Sequence, residues 1–234
     1  MRPSPERPRL ALRNLSLPIL METLKTSTSS SSTSARLIRA WPHPLGMMQG
    51  VDSTCDAAVF VGYHAREGAA EGVLAHTFTG AVVVKLNAVE VPEAGFNAAI
   101  AGDFGVPVVF VSGDQTIAEE TSQLLGPIET AVVKKAIGFN AAEMMPPEES
   151  QRLIREGVKR GIERRAEIKP YKISHPVRLE IRFNDAVLAE LASYLPGVER
   201  PNGNTILFSG RDMTEVSKFA EVVLSLQWQE YSYK

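Results

Sequence analysis

The sequence contains a single cysteine, Cys55, so the chain cannot form an internal disulfide bond. This fits a protein of a reducing compartment. No apolar run approaches the ~20 residues that a helix needs to cross a bilayer. The formal charge of −2 gives no electrostatic reason to expect binding to nucleic acid or to an acidic membrane surface. We therefore expect a cytoplasmic protein with neither nucleic acid nor membrane as a partner.

The most specific common functional motifs are also missing from the sequence. It contains no GxGxxG, no Walker loop, no GxSxG elbow and no HExxH. These motifs are typical of dinucleotide binding, nucleotide phosphate binding, serine hydrolases and one large class of zinc proteases. The function must therefore be inferred from weaker groupings of residues.

The N-terminal 40 residues differ in composition from the rest of the chain. They are rich in Arg, Ser and Thr, and their only acidic residues are Glu6 and Glu22. Organelle transit peptides have this composition. The alternative, which we favour, is a disordered or misread leader over residues 1–34, because residues 26–34 (TSTSSSSTS) have no means of burying apolar surface. We expect order to begin near Ala35.

The central part of the chain alternates between strand-like and helix-like segments. Continuous apolar runs at residues 57–63, 81–86, 106–111 and 130–134 are typical of strands that are covered on both faces. Helices are predicted between them, and a long amphipathic helix begins at Pro146-Pro147. We predict the α/β class, with a three-layer α/β/α domain and a mainly parallel sheet over residues 35–170.

The pattern changes after Pro170. Residues 177–183 alternate strictly between apolar and charged, which indicates a strand with one face in water. A helix (185–194), a strand (205–209) and a final helix (213–226) are predicted to follow. We predict a smaller α+β domain over residues 171–234.

Three residues form the best candidate site. His64 follows the first strand of the central region, where open α/β sheets place their ligands. His76 comes twelve residues later, after a glycine-rich loop, and Glu93 lies in the first turn of a helix after Pro92. Imidazoles and a carboxylate are typical of zinc sites and of acid–base catalysis. The spacing of the two histidines alone is weak evidence for a site. Glu93 also has a structural explanation, because a carboxylate in the first turn of a helix interacts favourably with the helix dipole.

Other polar residues have simpler explanations. Asp103 and Asp114 are best explained as caps or loop residues, and Asp114 precedes a predicted helix. Lys134 and Lys135, at a strand end, could bind an anion or a substrate carboxylate, but a solvated strand end is the favoured interpretation. From the residues alone, the prediction does not go beyond a hydrolase.

Several segments together resemble one family. ARLIRAWPHPLGMMQGVD, VFVGYHAREG, VLAHTF, VEVPEAGFNAAIAGDFGVPVVFVSGD and TAVVKKAIG follow one another between Ala35 and Gly138. In order and spacing they are similar to the zinc-dependent D-aminopeptidases of the DppA type, the M55 metallopeptidases. The resemblance implies a hydrolase that releases N-terminal D-amino acids from short peptides. It also implies two zinc ions per site and a ring-like homo-oligomer.

The resemblance assigns roles to the three candidate residues. His64 in GYHA and Glu93 in PEAGFNA match zinc ligands of the family, and His76 in LAHTF matches its catalytic histidine. These roles suit the residue types, because neutral imidazole and carboxylate are good zinc ligands. A histidine without a metal can move protons or attack a carbonyl.

The sequence also departs from the family pattern. The family's Asp-x-Glu-Gly and Asp-Ser-His-Gly-like motifs, which supply its other zinc ligands, do not occur here. We therefore expect an N-terminally truncated member with impaired D-aminopeptidase activity and doubtful zinc occupancy. One alternative is a non-catalytic paralogue that acts as an assembly or binding subunit. A third, weaker hypothesis is an unrelated α/β binding protein.

Overall fold

The computed structural model describes residues 42–78 and 82–226, together with Ile38. The predicted leader over residues 1–34 lies outside the described residues. Within the described ranges, no helix is long and apolar enough to span a bilayer. The structure has a parallel sheet, antiparallel sheets and helices, so the predicted α/β class is confirmed.

Ten strands and five α-helices make up the described part of the chain. The strands are β1 (Ala58–Phe60), β2 (Val82–Leu86), β3 (Val89–Glu90), β4 (Val108–Gly113), β5 (Glu129–Val132), β6 (Lys134–Gly138), β7 (Ala141–Met144), β8 (Val177–Phe183), β9 (Val198–Asn202) and β10 (Thr205–Gly210). The helices are α1 (Glu93–Asp103), α2 (Gln115–Leu125), α3 (Pro147–Glu163), α4 (Ala186–Ser193) and α5 (Met213–Ser225), and a short 3-10 turn lies at Gly46–Met48.

A three-stranded parallel sheet, in the order β1-β4-β5, forms the centre of the first region. Every residue of β1 and β4 is buried, as their continuous apolar sequences predict. Helix α3 packs closely on β4 because two of its residues, Gly157 and Gly161, have no side chain. A Cβ at Gly157 would collide with the Phe110 ring, and a Cβ at Gly161 would lie 2.5 Å from the Val109 carbonyl oxygen.

The larger sheet is antiparallel and has the order β3-β2-β8-β10-β9. Strand β8 buries alternate residues, as predicted, so one face of the sheet lies on the core and the other faces solvent. A groove of about 610 Å³ lies on this sheet, lined in part by Lys85, Arg178 and Glu180. The sheet takes strands from both sides of residue 170, and the proposed division into domains at that point stays a prediction.

The β6–β7 hairpin and strand β9 were not predicted. The hairpin has no apolar face of period two, and its large apolar side chains Ile137, Phe139 and Met144 are exposed. Such a segment gives no sequence signal for a buried strand. The hairpin nevertheless matters for the site, because the Leu74 backbone N–H donates to the Phe139 carbonyl oxygen (2.6 Å).

Candidate active site

His64 is positioned by the segment that follows β1. Gly62 has φ +78°, and the backbone N–H groups of Gly62 and Tyr63 both donate to the Ser112 carbonyl oxygen on β4. The His64 side chain is buried, and its Nδ1 lies 2.9 Å from the Val73 carbonyl oxygen. Because the carbonyl can only accept, Nδ1 carries the proton and Nε2 keeps its lone pair. Metal-binding histidines are commonly oriented in this way.

His76 lies beside His64, and its ring is likewise held by a backbone carbonyl oxygen. Its Nδ1 is 2.6 Å from the Leu74 carbonyl oxygen, and its backbone N–H donates to the Ala65 carbonyl oxygen (2.9 Å). Leu74 has φ +51°, a left-handed conformation that is strained for a leucine. The two imidazole rings have centroids 5.0 Å apart. The protonated Nδ1 again leaves Nε2 as the basic nitrogen.

Glu93 completes the group from the first turn of α1, directly after Pro92. Its side chain is buried, and Oε2 lies 3.5 Å from Nε2 of His76. Its other oxygen, Oε1, is buried and has no hydrogen-bond partner within the described part of the chain. A buried carboxylate oxygen without a partner is unfavourable unless a ligand, such as a cation, pairs with it.

Burial controls the protonation of all three groups. It lowers the pKa of His64 and of His76, and the nearby Lys134 ammonium lowers both further. It raises the pKa of Glu93 to about 8. The two imidazoles are therefore neutral at physiological pH. Neutral imidazole is the form that binds metals and accepts protons.

Asp114 supports His64 through the backbone of one residue, Val73. The predicted cap is confirmed, because Asp114 Oδ1 accepts from the backbone N–H groups of Thr116 and Ile117 at the start of α2. Its Oδ2 also accepts from the Val73 N–H (2.9 Å), and the carbonyl of Val73 accepts from His64. The sequence predicted the cap but gave no signal for this second contact.

Tyr63 and Asn97 lie next to Glu93 and were not identified from the sequence. The Asn97 amide donates to the Tyr63 hydroxyl (3.0 Å), and both side chains are buried. Burial, followed by the charge of Glu93, raises the pKa of Tyr63. The only available signal was that Asn97 follows Glu93 by four residues and so shares its helix face.

Asp103 and His175 are placed apart from this group. Asp103 Oδ1 lies 2.9 Å from Nε2 of His175, and Asp103 Oδ2 accepts from the Met213 N–H (2.7 Å). The first contact joins the end of α1 to the segment before β8, and the second joins it to the start of α5. They have a structural explanation and need no catalytic role.

Comparisons with known proteins identify the family of the chain. Residues 20–222 of this chain match the family model of the M55 peptidases, described as D-aminopeptidase. The chain belongs to this family. It is 34% identical over 194 residues to the D-aminopeptidase of Bacillus subtilis (strain 168), an alignment that spans 82% of this chain and 70% of the relative.

A solved structure of the same family has the same fold. The zinc-dependent D-aminopeptidase DppA from Bacillus subtilis, described as a self-compartmentalizing protease, superposes with a TM-score of 0.80 at 33% sequence identity. The match covers 84% of this chain and 72% of that structure. Membership of the M55 family is thus supported by both sequence and fold.

The donor atoms present suit zinc, but the described residues do not form a full ligand set. His64 Nε2 is a neutral nitrogen donor, and Glu93 has a buried oxygen that lacks a partner. Across residues 42–78 and 82–226, no group of three or more His, Cys, Asp or Glu side chains converges as metal ligands. These residues therefore fit one part of a zinc site.

Proposed function

We propose that this protein is a zinc-dependent D-aminopeptidase that hydrolyses short peptides at an N-terminal D-amino acid. The observation on which this mainly rests is the buried group of His64, His76 and Glu93, with the unpartnered Oε1 of Glu93. The similarity to the zinc-dependent enzyme of Bacillus subtilis supports both the reaction and the metal.

His64 and Glu93 are the residues that would hold zinc. Bound zinc polarises a carbonyl oxygen and lowers the pKa of bound water. The Val73 carbonyl fixes the His64 ring, so Nε2 needs no reorientation to bind. Two protein ligands hold zinc weakly, so we expect low zinc affinity and impaired activity if these two act alone.

His76 is the proton-transfer residue of this proposal. Its Nδ1–H is fixed on the Leu74 carbonyl, so Nε2 is the atom that accepts and returns a proton. Burial lowers the pKa of His76, which keeps this nitrogen available as a base at neutral pH. Nε2 also lies 3.5 Å from Oε2 of Glu93, the carboxylate that would hold zinc in this proposal.

Turnover of a D-alanyl dipeptide tests the proposal. The purified chain, supplied with zinc, is expected to release D-alanine from D-Ala-D-Ala and to act far more slowly on L-Ala-L-Ala. The variant His76→Ala should lose about 10²–10⁴-fold in rate. His175→Ala is the matched control, because His175 contacts Asp103 and not the site. Equal rates on the two stereoisomers, or full activity in His76→Ala, would contradict the proposal.

We also propose that the protein acts as a homo-oligomer, and its similarity to a protease described as self-compartmentalizing supports this. The exposed apolar residues Ile137, Phe139 and Met144 of the β6–β7 hairpin support self-association. Sedimentation velocity should show a species well above the 25.5 kDa monomer. A single monomeric species across a tenfold concentration range would contradict this assignment.

A further inference from the structure

Lys134 occupies a fixed position at the start of the β6–β7 hairpin. The preceding residue, Val133, donates its backbone N–H to the Gly113 carbonyl oxygen (3.0 Å), directly before Asp114. Two residues further on, the Ala136 N–H donates to the Gln115 side chain (3.0 Å). These bonds attach both sides of Lys134 to the turn between β4 and α2.

The hairpin is also hydrogen-bonded to the loop that carries Leu74 and His76. The Leu74 N–H donates to the Phe139 carbonyl oxygen (2.6 Å), and the Leu74 carbonyl holds the ring of His76. The hairpin that begins at Lys134 therefore contacts both the turn that carries Asp114 and the loop that supports His76. A position fixed in this way suits a side chain that must meet a substrate.

The charge of Lys134 is poorly compensated there. The side chain is half-buried, and among the described residues its Nζ has neither a hydrogen bond nor an ion pair. Burial lowers its pKa, while the charge of Asp114 opposes that effect. The charge of Lys134 in turn lowers the pKa of His64 and of His76, and these neutral imidazoles cannot compensate it. A partly desolvated ammonium without a partner favours binding of an anion.

We propose that the Lys134 ammonium binds the free C-terminal carboxylate of the peptide substrate and so selects very short peptides. This inference rests on the proposed aminopeptidase function. The N-terminal ammonium of the substrate is repelled by the ammonium of Lys134. The other end of the substrate must then face Lys134. An extended dipeptide spans only about 7 Å, so its carboxylate lies close to the scissile bond.

Comparing an acid substrate with its amide tests this role directly. D-Ala-D-Ala and D-Ala-D-Ala-amide differ only in the C-terminal charge. In Lys134→Met, the ratio of kcat/KM for the acid to kcat/KM for the amide should fall at least tenfold, or about 1.4 kcal/mol. Lys134→Arg should keep the ratio within about threefold of the wild type, because it keeps the charge. Lys135→Met is the matched control, since Lys135 is the exposed neighbouring residue.

The outcomes separate this inference from the reaction itself. Equal losses on acid and amide in Lys134→Met would overturn it, because they would indicate a role at the scissile carbonyl or in folding. An unchanged ratio would overturn it as well. Calorimetry with the His76→Ala variant compares the affinities for the acid and for the amide without turnover. In one outcome, the wild type hydrolyses neither peptide while His76→Ala still binds the acid more tightly than the amide. If Lys134→Met removes that difference in binding, only the proposed reaction fails.

Discussion

His76 Nε2 lies 3.5 Å from Glu93 Oε2, and both side chains are 6% exposed. Burial lowers the pKa of the histidine and raises that of the glutamate to about 8. The pair is therefore not an ordinary ion pair at neutral pH, since the proton resides on the carboxyl group and the imidazole is neutral. A cation at the unpartnered Oε1 would lower the pKa of Glu93 and so favour its ionised carboxylate form.

Replacing Glu93 with glutamine is expected to weaken zinc binding without unfolding the protein. The substitution keeps the shape of the side chain and removes the anionic ligand, so the dissociation constant for zinc should rise about tenfold or more. Calorimetric titration with zinc measures this change. Glu119→Gln, on the exposed surface of α2, is the control and should leave the titration unchanged. Equal zinc affinities in wild type and Glu93→Gln would exclude Glu93 as a ligand.

Asp114→Ala is expected to destabilise the protein by about 2–3 kcal/mol, because three backbone N–H groups lose their acceptor. Asp185→Ala is the matched control, since Asp185 also caps a helix but accepts one bond and is exposed. It should cost about 1 kcal/mol or less. Urea unfolding measures both changes. A cost for Asp114→Ala no larger than that of its control would show that the Val73 contact adds nothing.

Gly102→Ala is expected to destabilise the fold by about 2 kcal/mol or more. A Cβ at Gly102 would collide with the carbonyl oxygen of Tyr171, and backbone atoms cannot move aside as a flexible side chain can. Gly138→Ala in β6 meets no atom within 4 Å and should change stability by no more than about 0.5 kcal/mol. Thermal unfolding of the two variants side by side tests the difference. A tolerated Gly102→Ala would contradict the close contact between α1 and the segment before β8.

The ion pairs of Glu129 should stabilise the protein at neutral pH and lose this effect in acid. Burial opposes ionisation, but hydrogen bonds from Arg160 and Arg164 outweigh it and lower the pKa of Glu129. The folded-state pKa thus lies below the unfolded value of about 4.3. The stabilisation is complete above the unfolded pKa and disappears as the pH falls through the folded pKa.

The variant Glu129→Gln tests this pH dependence. Its deficit in the free energy of unfolding, relative to the wild type, should be largest near pH 7 and shrink toward pH 3. Glu163→Gln is the control, because Glu163 is exposed and its only described pair, with Lys159, is 4.0 Å long. A deficit that grows as the pH falls would contradict the assigned direction of the Glu129 pKa shift.

The elements best predicted from sequence are those with a clear local pattern. Strict alternation located β8 within the bounds that the structure shows, and the Pro146-Pro147 pair located the start of α3. The β6–β7 hairpin was missed because its apolar residues face solvent. Tyr63 and Asn97 were missed because a hydrogen bond between residues 34 positions apart leaves no local trace in the sequence.

The sequence by itself determined the periodicity of the elements, the Asp114 cap and the residue types of the candidate site, since these depend on neighbours along the chain. Only the tertiary structure decided that β2 pairs with β8, where Lys85 meets Glu180 across 95 residues. It likewise decided that Asp114 supports His64 through Val73 and that the charge of Lys134 lowers the pKa of both histidines. These relationships arise from the packing of distant segments, which local propensities do not specify.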